Sequence, residues 1–160
     1  MRQPDRHHAR LAAPFAVLGI RTAGELLAGV DYLPLGVAPL APLNRLAERA
    51  CRQIGCYLED PEFRFDLPFD YRGTEFQCRV WRAISTIPAG RTRTYAGIAA
   101  QLGTAPRPVG GACGANRIPL IIPCHRVLAS GGIGGFMNAR SGFPVAVKHW
   151  LLRHEGASVG

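Results

Sequence analysis

Glycine and proline cut this chain into pieces too short for any long element. Gly19, Gly24, Gly29 and Gly36 punctuate residues 15–37, which begin FAVLGIRTAGELLAGVDYLPLG and alternate loosely between apolar and polar side chains. That pattern predicts short antiparallel strands joined by turns. The loop APLAPL then leads into LNRLAERACRQIGCYLED. There Leu43, Leu46, Ala47, Ala50, Ile54 and Leu58 recur at helical spacing behind Asn44 as a cap. Cys51 and Cys56 fall on this helix and read as packing residues. Beyond it, PEFRFDLPFDYRG alternates Phe63, Phe65 and Leu67 between Pro61 and Pro68, giving a strand or an extended linker.

A second unit starts near Gly73, so the expected domains are 1–72 and 73–160. Thr74 followed by Gln77 is a capping box, and Phe76, Val80, Trp81 and Ile84 form the apolar stripe of the helix it opens, with Cys78 off the stripe. After the turn PAGRT, TYAGIAAQLG is a short helix from a Thr94 or Thr92 cap to a Gly103 stop. The turn TAPR then leads to a third helix, PVGGACGAN, with Pro108 at its first position. Two short helices across a four-residue turn are a helix-turn-helix pattern. The second has little bulk and, before Asn116 at its end, none of the Arg, Asn or Gln that read base edges, so it suits close approach to a nucleic-acid backbone with little sequence preference. A last helix, FPVAVKHWLLRHEG, carries Val145, Trp150 and Leu151 on one side and ends at Gly156, and the glycine-rich ASGGIGGFMNARSG before it reads as a flexible pocket wall. The fold class is α+β: a small N-terminal α/β domain and a mostly helical, winged-helix-like C-terminal domain.

Charge separates the two halves. Residues 1–80 hold ten Arg and ten acids, whereas residues 81–160 hold eight Arg, one Lys and a single acid, Glu155, which accounts for the whole net charge of +8. Such a half-chain points to a polyanionic partner. No apolar run reaches membrane-spanning length, and no secretory signal is read at the N-terminus. Five irregularly spaced cysteines fit free thiols rather than a disulfide framework. His7 and His8 read as part of a disordered basic tail.

The stretch PLIIPCHRVLAS carries the chemical question. Cys124 after an apolar run is compatible with an inert core thiol. It is also compatible with a nucleophile, because a turn after Pro123 lets His125 converge on it directly or through one water. A base needs an orienting acid, and the basic half offers only Glu155.

IPCHRV, with YAGIAAQLG, RPVGGACGAN, IPLIIPCHRV and VKHWLLRHEG in the same order, resembles the O6-alkylguanine-DNA alkyltransferases over about residues 73–156. The resemblance implies a suicide repair protein. It would flip an alkylated guanine out of duplex DNA and move the O6-alkyl group irreversibly to its own cysteine, with O4-alkylthymine as a further substrate. By likeness Cys124 is the acceptor, His125 the water-mediated base and Glu155 its orienting group. Tyr95 lies near guanine N3, Lys148 near the thiol, and Asn116 bridges helix and active-site strand. Arg107 fills the hole left by the flipped base. Thr94, Tyr95, Gly110, Gly111, Ala112 and Arg126 join it as expected DNA contacts. Pro119, Ile133, Gly134, Phe136 and Met137 are the expected pocket lining. The resemblance implies no cofactor and, since no cysteine precedes Cys51, no metal. It implies a monomer in the cytosol or nucleoid, or in the nucleus of a eukaryote. Pro108 departs from the alanine usual there, and the loop from Ser130 to Val147 is longer than the common form.

Two other classes compete. A damage sensor like the alkyltransferase-like proteins would lack the cysteine, which this chain keeps. A Cys-His-Glu hydrolase would need an oxyanion site and would leave the basic half unexplained.

Overall fold

The computed structural model describes residues 6–136 and 142–157. The chain separates into two compact units, one ending at Asp70 and the other starting at Tyr71.

In the first unit, β1 (Ala9–Ala12), β2 (Val17–Ala23) and β3 (Leu26–Leu33) form an antiparallel sheet in that order, with a bulge between Arg21 and Thr22. Val17, Leu18 and Ile20 on the central strand are buried, as are Leu27, Val30 and Tyr32 on β3. Helix α1 (Arg45–Glu59) covers the sheet with Ala47, Ala50, Ile54 and Tyr57, and its N-cap Asn44 accepts from the Ala47 amide at 2.8 Å. The helical spacing is thus realised, but Leu43 lies before the helix, 50% exposed, and Tyr57 takes the inward position expected of Leu58. His7 and His8 are not a loose tail. His7 Nε2 lies 2.8 Å from Asp31 Oδ2, and His8 Nδ1 accepts from the Thr22 amide, so both are tied to the sheet.

The segment after α1 is extended without being a strand. Gln53 holds it by a reciprocal pair, donating to the Asp66 carbonyl at 3.0 Å and accepting from the Asp66 amide at 2.8 Å. Phe65 packs on Tyr57 and Phe63.

The second unit is built on helices. In α2 (Glu75–Ile84) the Thr74–Gln77 capping box forms in both directions, and Val80, Trp81, Ala83 and Ile84 are buried. The two-residue strand β4 (Arg93–Thr94) runs into α3 (Tyr95–Leu102), capped by Thr94 and stopped by Gly103 in the left-handed conformation. Helix α4 (Pro106–Gly114) begins two residues before the expected Pro108, because Pro106 already supplies the fixed φ and missing N–H that suit a first position. Trp81 Nε1 donates to the Ala112 carbonyl at 2.8 Å, locking α4 to α2. A 3₁₀ turn (Cys124–Arg126) leads into β5 (Val127–Leu128), which pairs in parallel with β4. In α5 (Phe143–His154) the inward face is Val147, Lys148, Leu151 and Leu152. Trp150, expected on that face, is only half-buried and stacks on His154 at 4.8 Å between ring centres. The apolar run before Cys124 is a turn rather than a strand: the Ile122 amide donates to the Ile118 carbonyl, and Leu120 sits at φ 77.

Candidate active site

Pro123 sets the site. At φ −82 and ψ 63 it bends the chain into the 3₁₀ turn, so that Cys124 and His125 both point inward, with 3% and 0% exposure. An extended backbone would send these neighbours to opposite faces. The Cys124 amide donates to the Ile122 carbonyl and the Arg126 amide to that of Pro123, fixing the turn.

The partner comes from the end of α5. Glu155 is the C-cap residue of that helix, and its side chain is fully buried. One carboxylate oxygen lies 2.8 Å from His125 Nε2. Arg126 grips the same carboxylate from a second direction, Nε to Oε1 at 2.9 Å and Nη2 to Oε2 at 3.0 Å, while its Nη1 donates to the Ile87 carbonyl at 2.6 Å. Burial alone would raise the Glu155 pKa, but His125 and Arg126 hold the carboxyl well below the usual carboxylate range. His125 is lowered as well, from the ordinary 6.5: burial lowers it, outweighing the carboxylate's pull. A neutral imidazole therefore donates from Nε2 to Glu155. Its Nδ1 is buried and has no protein partner among the described residues, so it is the nitrogen able to take a proton.

The thiol has its own surroundings. Asn116, just past the end of α4, donates from Nδ2 to the Ile122 carbonyl at 2.9 Å and to Cys124 Sγ at 3.2 Å, and its Oδ1 accepts from the Ile118 amide. Lys148 is fully buried on α5 and donates to the Val127 carbonyl at 2.7 Å and the Gly135 carbonyl at 2.9 Å. Its Nζ stands 5.7 Å from the centre of the Tyr95 ring and 6.0 Å from that of Phe136. Burial lowers Lys148 to about 8. The Cys124 thiol is pushed well above its ordinary 9.0, first by a hydrogen bond with the Cys113 thiol and then by burial, against the lowering effect of Asn116 and Lys148. Burial also raises Tyr95, so its hydroxyl stays protonated as a donor; it reaches the Gly135 carbonyl at 3.4 Å.

A buried thiol, a neutral base next to it in sequence and an ionised acid behind the base are the parts of a nucleophile relay. Residues 75–157 match the DNA-binding domain of the 6-O-methylguanine DNA methyltransferases. The chain belongs to that family. The family's methylated-DNA–protein-cysteine methyltransferase from Mycobacterium tuberculosis strain H37Rv is 38% identical over 144 residues, covering 84% of this chain and 87% of that one. The one from Mycolicibacterium paratuberculosis is 50% identical over 90 residues, 54% of each. The crystal structure of Mycobacterium tuberculosis OGT in complex with DNA superposes with a TM-score of 0.75 at 34% identity, covering 92% and 91% of the two chains.

Within this family member, the turn and α5 gather Cys124, His125, Glu155, Asn116, Lys148 and Tyr95 into one cluster. Phe136 lies over Lys148, and Gly134 lies beside Tyr95, where a Cβ would come within 3.4 Å of the ring and 3.1 Å of the Ala129 amide. Pro119 is buried in the turn before Cys124, where it bridges to Ile122, and Ile133 is half-buried in the loop; Met137 lies outside the described residues.

Two of the expected DNA contacts are engaged inside the fold. Arg126 is committed to Glu155 and Ile87, with 13% of its side chain exposed, so it is the clamp of the acid rather than a surface cation. Ala112 faces inward against α2, 3% exposed. Thr94 spends its hydroxyl on the Gly97 amide as the α3 cap. Arg107 stands exposed in the first turn of α4, and Gly111 is exposed on the same helix, with Gly110 half-buried. Cys113, whose thiol helps push the Cys124 pKa up, is not among the expected site residues. Its position three residues before Asn116 on a helical stretch was the signal available.

Acid should loosen this site in a defined order. His125 has its folded pKa below the unfolded 6.5, so the unfolded chain binds more protons as pH drops below about 6.5, and stability falls by up to about 1.4 kcal/mol per pH unit. Glu155 is also depressed, so its contribution is present above about 4.3 and is lost as pH falls toward its folded pKa. Urea denaturation between pH 7.5 and 5 should show the first slope, and His125→Asn should flatten it. An unchanged slope in that variant would assign the effect to other groups.

Proposed function

We propose that this chain repairs alkylated duplex DNA by moving the O6-alkyl group of a flipped guanine irreversibly to Cys124. The observation that carries this reading is His125: next to Cys124 in sequence, buried, neutral, tied through Nε2 to an ionised Glu155, with Nδ1 left without a protein partner among the described residues. His125 takes the thiol proton at Nδ1, directly or through a water. The sulfur attacks the alkyl carbon, an S–C bond forms, the C–O6 bond breaks, and its electron pair leaves with guanine. Tyr95, kept protonated by burial, donates to the base as that charge develops. Lys148 and Asn116 favour the thiolate form. The thioether is stable, so each molecule acts once.

Arg107, exposed in the first turn of α4, enters the stack and offsets part of the few kcal/mol that flipping costs. The helix offers no Asn, Gln or further Arg to base edges, which supports low sequence preference. The protein acts as a monomer in the compartment that holds the genome. O4-alkylthymine, with its alkyl group on an equivalent oxygen, is the second substrate.

The test is stoichiometry. A duplex whose restriction site is blocked by O6-methylguanine should become cleavable in proportion to added protein, reaching one site per molecule. Cys124→Ser should bind the duplex and repair nothing. Repair continuing past one equivalent, or by the serine variant, would refute the assignment.

Gly110 and Gly111 make a second prediction. A Cβ at either position would meet nothing within 4 Å, so the fold does not require these helix glycines. Each costs about 1 kcal/mol relative to alanine, and close approach of α4 to DNA supplies a reason for them. Gly111→Ala should raise stability by roughly 1 kcal/mol while weakening duplex binding by about tenfold, near 1.4 kcal/mol. Both are read on one sample by denaturation and fluorescence anisotropy. Stabilisation with unchanged binding would remove α4 from the DNA interface.

A further inference from the structure

Much of the positive charge in residues 81–160 is already engaged. Lys148 is buried, Arg126 grips Glu155, Arg82 lies over the Tyr71 ring at 4.9 Å, and Arg93 donates to Gln101 and to the Gly97 carbonyl. Arg91, Arg107, Arg117 and Arg153 are exposed, and none makes a side-chain hydrogen bond or ion pair among the described residues. Arg117 differs from the others in where it stands. Between Ala112 and Ala129 it is the one exposed residue, every other being buried or half-buried, so the segment that carries the thiol shows solvent a single cation. Its backbone is pinned on both sides: the Asn116 amide donates to the Cys113 carbonyl at 3.2 Å, and the Ile118 amide donates to Asn116 Oδ1 at 2.9 Å. The Asn116 side chain donates in turn to the Ile122 carbonyl and to Cys124 Sγ. The one acid of this half-chain, Glu155, is buried against His125 and Arg126 and leaves Arg117 its charge. Arg107 stands in the first turn of α4 and Arg117 three residues beyond its end, so two cations bracket the surface that Gly110 and Gly111 leave bare.

We propose that Arg117 is a second DNA anchor, which binds a backbone phosphate and ties the duplex to the turn that holds Cys124. The anchor rests on α4 facing the duplex, as in the function proposed above. A guanidinium on a phosphate positions the strand and reads no base. Because the base of this side chain is pinned through Asn116 to the acceptor thiol, the contact sets where the strand lies relative to the sulfur.

The experiment measures duplex binding by fluorescence anisotropy across a range of salt concentrations. It uses the full chain carrying Cys124→Ser, so that the lesion is bound and not consumed. Two duplexes of one sequence are compared, one with O6-methylguanine and one undamaged. Arg117→Gln should weaken both by the same factor, about fivefold near 0.1 M salt, and lower the slope of log affinity against log salt by about one. Arg117→Lys should restore the slope, since a phosphate also accepts an ammonium. Arg153→Gln removes the same charge from α5 and should change the slope by clearly less. An unchanged slope in Arg117→Gln, an equal change in Arg153→Gln, or a loss confined to the damaged duplex would overturn the proposal. Arg107→Gln separates the anchor from the wider reading, because a side chain that enters the stack matters more for the damaged duplex. If neither Arg107→Gln nor Arg117→Gln changes binding, the placement of α4 on DNA fails as well; if Arg117→Gln alone is silent, only the anchor fails.

Discussion

One buried carboxylate organises the catalytic half of this protein. Glu155 is the single acid among eighty residues that carry nine cations, and it sits at the C-terminus of a helix, where the macrodipole disfavours negative charge. A bare carboxylate would not be buried there. Arg126 makes it tolerable through a bidentate grip, and because Arg126 follows His125 directly, the same turn delivers clamp and base together. Gly90 lets the loop after α2 come close: at φ 83, with a Cβ that would lie 3.1 Å from the Glu155 carbonyl oxygen, it is a position that favours glycine. Removing Arg126 would strip the buried acid of its clamp, the costly case for an ion pair.

The thiol is arranged for restraint rather than constant reactivity. Cys113 and burial keep it protonated, while Asn116 and Lys148 offer stabilisation that counts mainly once the proton leaves. For a protein that spends its nucleophile irreversibly this is a sensible division: the resting sulfur is poorly nucleophilic, and the relay through His125 makes it reactive when a base is in place. Lys148 is held for this by two carbonyls, from Val127 and Gly135, so one residue ties β5 and the glycine-rich loop to α5.

Local signals carried far in the sequence. The Thr74–Gln77 box, the Asn44 and Thr94 caps and the Gly103 stop depend on neighbours a few residues apart, and each forms as the residues suggest. What failed depends on distant partners. Arg126 looks like a surface cation until the end of α5 folds back onto it. Ala112 looks available until Trp81 claims its carbonyl. The parallel pairing of β4 with β5 joins segments of two residues each, too short for any periodicity, and the turn around Leu120 hides within a stretch that composition alone renders as strand. His7 and His8 looked like a tail because nothing local marks Asp31 and Thr22 as their partners.

The central claim is that His125 rests neutral, with its proton on Nε2 facing Glu155 and Nδ1 bare. Nitrogen-15 NMR of the histidine-labelled protein, assigned with His125→Asn and followed from pH 8 to pH 5.5, reads both ring nitrogens directly. The account predicts one protonated nitrogen and one bare nitrogen at neutral pH, identified as Nε2 and Nδ1, with the imidazolium forming at a lower pH than the ordinary 6.5. An imidazolium at neutral pH, or a proton on Nδ1 instead, would contradict it, because His125 could then not receive the proton that frees the Cys124 sulfur.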